Sequence, residues 1–193
     1  MKAILPVSLA LFALIASASA AEQKAVVPNP VTATFYIVNV QCGSCVDAIT
    51  ESVKKVPSVT KVEGLTGDSG FAQISFDNHA SSYHQVAQAI SDATPVHGDK
   101  YAATLRLKVP DYAKGDNAAK VDEIFAKHKA DVKVVTKDKA KGEFEIQFLP
   151  LKVDKEKKVP QGWNAGKFGH PIHDDAPKGL GLSFQIVKEG AKK

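Results

Sequence analysis

The stretch Val31-Thr32-Ala33-Thr34-Phe35-Tyr36-Ile37-Val38-Asn39-Val40-Gln41-Cys42-Gly43-Ser44-Cys45-Val46-Asp47-Ala48-Ile49 changes its period in the middle. Val31 to Val40 is crowded with β-branched and aromatic residues, the composition of a strand. Val46, Ile49 and Val53 then recur at i, i+3 and i+7, an apolar stripe along a helix. Pro57 disfavours helical backbone at Val56, so the helix stops there. A strand therefore feeds a helix through Cys42-Gly43-Ser44-Cys45, which holds both cysteines of the 193-residue chain.

Working outward, Val59 to Leu65 reads as a second strand, Gly67-Asp68-Ser69-Gly70 as a turn, and Phe71 to Phe76 as a third strand with Ala72, Ile74 and Phe76 on one face. Ser82 and Gln85 stand at capping-box spacing ahead of Val86, Ala89, Ile90 and Ala93, and Pro95 closes that helix. Tyr101 to Lys108 supplies a fourth strand. The order β-α-β-β-α-β is the split βαβ unit, an antiparallel sheet covered on one face by two helices. Beyond Pro110 the pattern recurs in degenerate form. Val121, Ile124, Phe125 and His128 mark a helix, Asp131 to Thr136 a strand, and Glu143 to Phe148 a strand alternating Phe144, Ile146 and Phe148 with polar residues. Pro150 to Gly181 reads as a long loop where a second helix would belong, and Leu182 to Val187 as a last strand. The expected fold is α+β: a ferredoxin-like unit over 31–109, then a diverged, thiol-free α+β unit over 110–193. The strand 101–108 fits the end of the first unit and the start of the second; it is assigned to the first.

Residues 1–20 have the form of a secretory signal: Lys2, an apolar run from Ala3 to Ile15, and Ala18-Ser19-Ala20 before Ala21. Cleavage after Ala20 is expected to deliver the chain to the periplasm or outside the cell, and no later segment approaches the ~20 apolar residues of a membrane span. Composition is that of a globular chain, 44% hydrophobic and 24% charged. Lys and Arg total 25 against 21 Asp and Glu, yet Arg106 is the lone arginine, which argues against a nucleic-acid partner.

Two thiolates on an exposed strand-to-helix loop are soft donors suited to Cu(I), and then to Hg(II) or Zn(II). A closed four-thiolate zinc site needs two more cysteines than the chain has. The positive end of the following helix lowers thiol pKa and favours the metal-binding thiolate. Residues 31 to about 108 resemble the heavy-metal-associated domain of copper chaperones, of metal-transporting P-type ATPases and of the periplasmic mercury-binding protein. Cys42-Gly43-Ser44-Cys45, Val56-Pro57-Ser58-Val59-Thr60-Lys61-Val62 and Phe71-Ala72-Gln73-Ile74-Ser75-Phe76 carry the likeness. Family members usually have Gly-Met-x before the first cysteine, where this chain has Asn39-Val40-Gln41. The resemblance implies a non-enzymatic carrier whose metal ligands are Cys42 and Cys45, with a metal transporter or a second copy as protein partner. It also implies that the loop before the fourth strand lies beside the thiolates. There His97 is offered as an accessory ligand and Lys100 as a counter-charge, against the reading of both as ordinary surface residues. The alternative for the same CxxC is thiol-disulfide exchange; Gln41 rather than Trp before the first cysteine, and a different element order, argue against it.

Trp163 to Asp175 gathers His170, His173, Asp174 and Asp175 in a loop with Trp163 and Phe168. A second, harder metal site is one reading, but Pro171 is expected to prevent a helical HxxH face. A loop pinned by its aromatics with exposed histidines is favoured over it, and the second unit is expected to be a partner-binding or dimerising module without a metal of its own, anchored by Trp163 and Phe168. Pro110 to Gly115 stands where a metal loop would be and has no thiol. His79, His84 and His128 read as ordinary helix-flank residues, and Lys152 to Lys158 as a solvated face.

Overall fold

The computed structural model describes residues 28–154 and 160–189. The expected signal over 1–20 and most of the lysine run at 152–158 lie outside these residues. The elements are β1 (Pro30–Val38), α1 (Gly43–Lys54), β2 (Lys61–Glu63), β3 (Phe71–Asp77), α2 (Tyr83–Asp92), β4 (Ala102–Lys108), α3 (Asn117–Ala126), β5 (Val132–Asp138), β6 (Glu143–Phe148), α4 (Gly166–His173) and β7 (Gln185–Ile186). The chain is α+β and ferredoxin-like. All strands join one antiparallel sheet in the order β2-β3-β1-β4-β6-β5, with β7 against β4. No described helix is long and apolar enough to cross a membrane.

Period-2 alternation sends Phe35 and Ile37, Ile74 and Phe76, Leu105 and Leu107, Phe144 and Ile146 to one buried face. Helices cover that face. Phe76 meets Tyr83 of α2 edge-on, and Phe144 meets Phe125 of α3, which in turn meets Phe168 of α4. The α2 start is a full capping box between Ser82 and Gln85, as the spacing predicts.

Ownership of the strand at 101–108 is shared. Ala102 to Thr104 pair with β1 and Leu107 to Lys108 with β7, while Thr104 to Lys108 pair with β6. Because β6 takes one edge of β4, β1 and β7 must lie end to end along the other. The first unit then reads β2-β3-β1-β4 across the sheet and the second β5-β6-β4-β7, the same topology twice with β4 counted in both. The loop expected over 150–181 contains the second unit's missing helix, α4. Gly166, Gly169 and Pro171 hide its stripe, yet Phe168 and Ile172, at i and i+4, are both fully buried and fix it to the core.

Trp163 and Phe168 are not displayed for a partner, which corrects the docking expectation. Both are completely buried, and Trp163 stands edge-on to Tyr83, Phe148 and Phe168, joining the helical layers of the two units. His84 is likewise more than a helix-flank residue. Its ring is buried, Nε2 donates to the Leu149 carbonyl at 2.6 Å and Nδ1 accepts the Trp163 N–H at 3.2 Å. Each ring nitrogen has a fixed role, so the neutral tautomer is selected. Burial holds the His84 pKa below its ordinary value, and that of His128 too. Because the unfolded chain takes up these protons first, stability is full above about pH 6.5 and falls as pH drops below it. Urea melts between pH 7.5 and 5 should show the loss, and His84→Gln should flatten the slope; an identical slope in both proteins would assign it elsewhere.

Ser58, in the segment before β2, holds φ of 70°. Its hydroxyl donates to the Asp77 carbonyl and accepts the Asp77 N–H, both at 3.2 Å. Left-handed backbone costs a side-chain-bearing residue about 1 kcal/mol, which the hydroxyl's bonds offset. Ser58→Ala keeps the strain and loses the bonds, so it should destabilise by about 1–2 kcal/mol; Ser58→Gly should cost less, and thermal melts of the pair give the order.

Candidate metal centre

β1 ends where Asn39 takes φ of 68°, a left-handed turn that Asn tolerates. Asn39 Nδ2 donates to the Lys100 carbonyl at 2.8 Å, which ties the cysteine loop to the loop before β4. Cys42 then becomes the N-cap of α1, so the helix starts at Gly43, earlier than the apolar stripe suggests. The Cys45 N–H donates to Cys42 Sγ at 3.4 Å. Sulfur thus replaces the oxygen of an ordinary cap, and both sulfurs lie in the first-turn field of the helix, where negative charge is stabilised.

Cys42 Sγ and Cys45 Sγ are 3.2 Å apart, and His97 Nε2 is 3.2 Å from Cys42 Sγ. The three ligand atoms all fall within 4.8 Å of one another, and no other group of three His, Cys, Asp or Glu side chains comes together this way among the described residues. Exposure is graded across the trio. Cys45 is fully buried, Cys42 half-buried and His97 exposed, so an incoming ion meets His97 and Cys42 before Cys45.

The Tyr101 hydroxyl, a residue the sequence reading passed over, donates to Cys45 and, with backbone donors at Gln41 and Cys42, lowers that thiol to about 6 against the opposing effect of burial. Burial and the sulfur together raise the phenol of Tyr101. The same oxygen accepts the Val96 N–H at 3.2 Å, so Tyr101 braces the loop that carries His97. Its signal was available: carrying the inward alternation of Ala103, Leu105 and Leu107 back by two residues places Tyr101 on the buried face. Lys100 engages through its backbone carbonyl, and its side chain is exposed.

His170 and His173 do share the helix α4, contrary to the expectation set by Pro171, but each ring has its own contact. His170 Nδ1 faces Asp174 at 3.6 Å and His173 Nδ1 the Leu182 carbonyl at 3.3 Å. With Asp174 they line one shallow groove, but among the described residues they are not part of any group of three close ligand atoms. In the second unit the turn at 110–115 is filled by protein contacts, with the Tyr112 hydroxyl donating to Asp122 at 2.9 Å.

Residues 34–93 match the heavy-metal-associated domain, the family the cysteine loop resembles. Among solved structures, the water-soluble region of the P-type ATPase CopA from Bacillus subtilis aligns at 12% identity with a TM-score of 0.37, over 83% of this chain and 93% of that one. The N-terminal soluble domains of Bacillus subtilis CopA align at 11% identity and a TM-score of 0.36, over 68% and 86%. No curated protein matches the sequence significantly.

Proposed function

We propose that the protein is an exported carrier of one soft metal ion, Cu(I) in the first place and Hg(II) or Zn(II) next, held by Cys42 and Cys45 and passed on or sequestered in the periplasm. The convergence of two sulfurs and the His97 ring at the start of α1 carries this reading, and the heavy-metal-associated match over the same segment supports it. Cargo is the ion itself. Two thiolates satisfy the near-linear preference of Cu(I), and His97 at the exposed rim is an accessory donor that can bind or leave as the ion arrives or departs. A metal transporter or a second copy of the chain is the recipient.

Thiol-disulfide exchange is the second reading, favoured by the lowered Cys45 thiol. That sulfur is fully buried, out of reach of a disulfide substrate, so the acidified thiol serves a ligand better than a nucleophile. Anaerobic titration with Cu(I) against a competing chromophoric chelator should show one ion bound per chain. A chain that leaves the chelator fully loaded refutes the carrier.

A further inference from the structure

Among the described residues, β5 pairs with β6 alone, so its outer edge carries unpaired backbone donors and acceptors over Val132 to Asp138, regular up to Thr136, where the register shifts. The opposite edge strand of the sheet, β2, has only three residues. Beside that outer edge, between β5 and α3, runs a groove of about 530 Å³ whose apolar floor includes Phe125, Val132, Val134 and Leu149. On the other face of β5, Lys133, Val135 and Lys137 point away from the helices, since Val132 and Val134 take the core side. Lys129 stands at the groove rim. Among the described residues neither Lys129 nor Lys133 has an ion-pair partner, whereas Lys137 meets Glu145 of β6 at 3.0 Å.

A strand laid along this edge would therefore meet two environments in alternation: a largely apolar groove rimmed by Lys129 and Asp122 on one face, and Lys133 with the Glu145-paired Lys137 on the other. The inner neighbour of β5 already has that character. β6 is Glu143-Phe144-Glu145-Ile146-Gln147-Phe148, with Phe144 and Ile146 in the core and Glu145 against Lys137. We infer that the outer edge of β5 is a docking site for an extended segment of a partner protein in which apolar and acidic residues alternate, added to the sheet as a further strand. Charge favours this occupant over a second copy in the self-pairing register centred on the strand. Two β5 strands paired antiparallel about Val135 would set Lys133 opposite Lys137 twice over, a like-charge juxtaposition that opposes pairing, while an acidic strand turns the same lysines into attraction.

The test uses a fluorescently labelled peptide with the β6 sequence, Gly-Glu-Phe-Glu-Ile-Gln-Phe, titrated into the full chain and read by anisotropy, with amide resonances followed in parallel. Saturable binding is expected, with the shifts confined to β5 and α3. Binding should weaken at least tenfold when both peptide glutamates are replaced by lysine, and by a similar factor in Lys129→Glu/Lys133→Glu, two exposed positions. The peptide swap leaves the protein untouched, so the result does not depend on that variant folding. Absence of binding at millimolar peptide overturns the proposal and leaves the lysines as protection of a bare edge. Shifts elsewhere overturn it too. So does concentration-dependent dimerisation with β5 resonances moving in the peptide-free protein, which would make a second copy the occupant.

Discussion

Cys42→Ala and Cys45→Ala are each expected to weaken Cu(I) binding by about 100-fold or more, beyond the 10–100-fold typical of losing a residue that only supports a ligand. Each removes one of two sulfurs that lie 3.2 Å apart, and a single thiolate with an imidazole is a poorer match for a soft ion than two thiolates. Folding should survive in both. Cys45 is fully buried, so alanine leaves a small void there, and Cys42 forfeits a sulfur cap on the Cys45 N–H; each loss is about 1 kcal/mol. His97→Ala should cost less, about tenfold, because the exposed imidazole adds to a pair that already holds the ion. Competition titration of the three variants beside circular dichroism checks the ranking. Wild-type affinity in either cysteine variant would remove the bis-thiolate site.

Trp163→Ala should destabilise the protein by about 3–5 kcal/mol, the range for emptying a buried aromatic site, a large share of a typical folding free energy. The indole is completely buried and meets rings from α2, β6 and α4. Its backbone N–H also anchors His84. Urea denaturation followed by circular dichroism measures the loss, and Trp163→Phe should recover part of it. A change below about 1 kcal/mol would mean that the indole does not hold the two helical layers together.

What could be read from the sequence depended on whether the signal was local. The CxxC loop, the α1 stripe, the Ser82–Gln85 box and the Phe144-Ile146 alternation are short-range patterns, and each appears where its spacing puts it. Alternation reports which face a residue takes and says nothing of which edges a strand fills. The double pairing of β4 therefore could not be read from Tyr101 to Lys108, although the same ambiguity pointed to it. Trp163 lies among glycines and polar residues, so nothing near it in the chain foretells burial; its partners Tyr83 and Phe148 come from elsewhere. His84 shows the same limit. Helix-flank spacing was correct, but the Leu149 carbonyl and Trp163 amide that fix its ring arrive from the second unit. α4 was hidden by its Gly and Pro content, since propensity counted against a helix that tertiary burial of Phe168 and Ile172 upholds.

Two four-stranded units joined by a linker would need eight strands, and among the described residues this sheet has seven. Sharing β4 leaves no joint between the halves. A tandem on a tether can turn its cargo loop toward whatever approaches; here the backbone hydrogen bonds on both edges of one strand hold the cysteine loop at a set bearing to everything on the far side of the sheet. In the proposed carrier role, such a molecule would present its ion in one orientation, like a key cut from a single blank, and a recipient would have to come to it from the matching side.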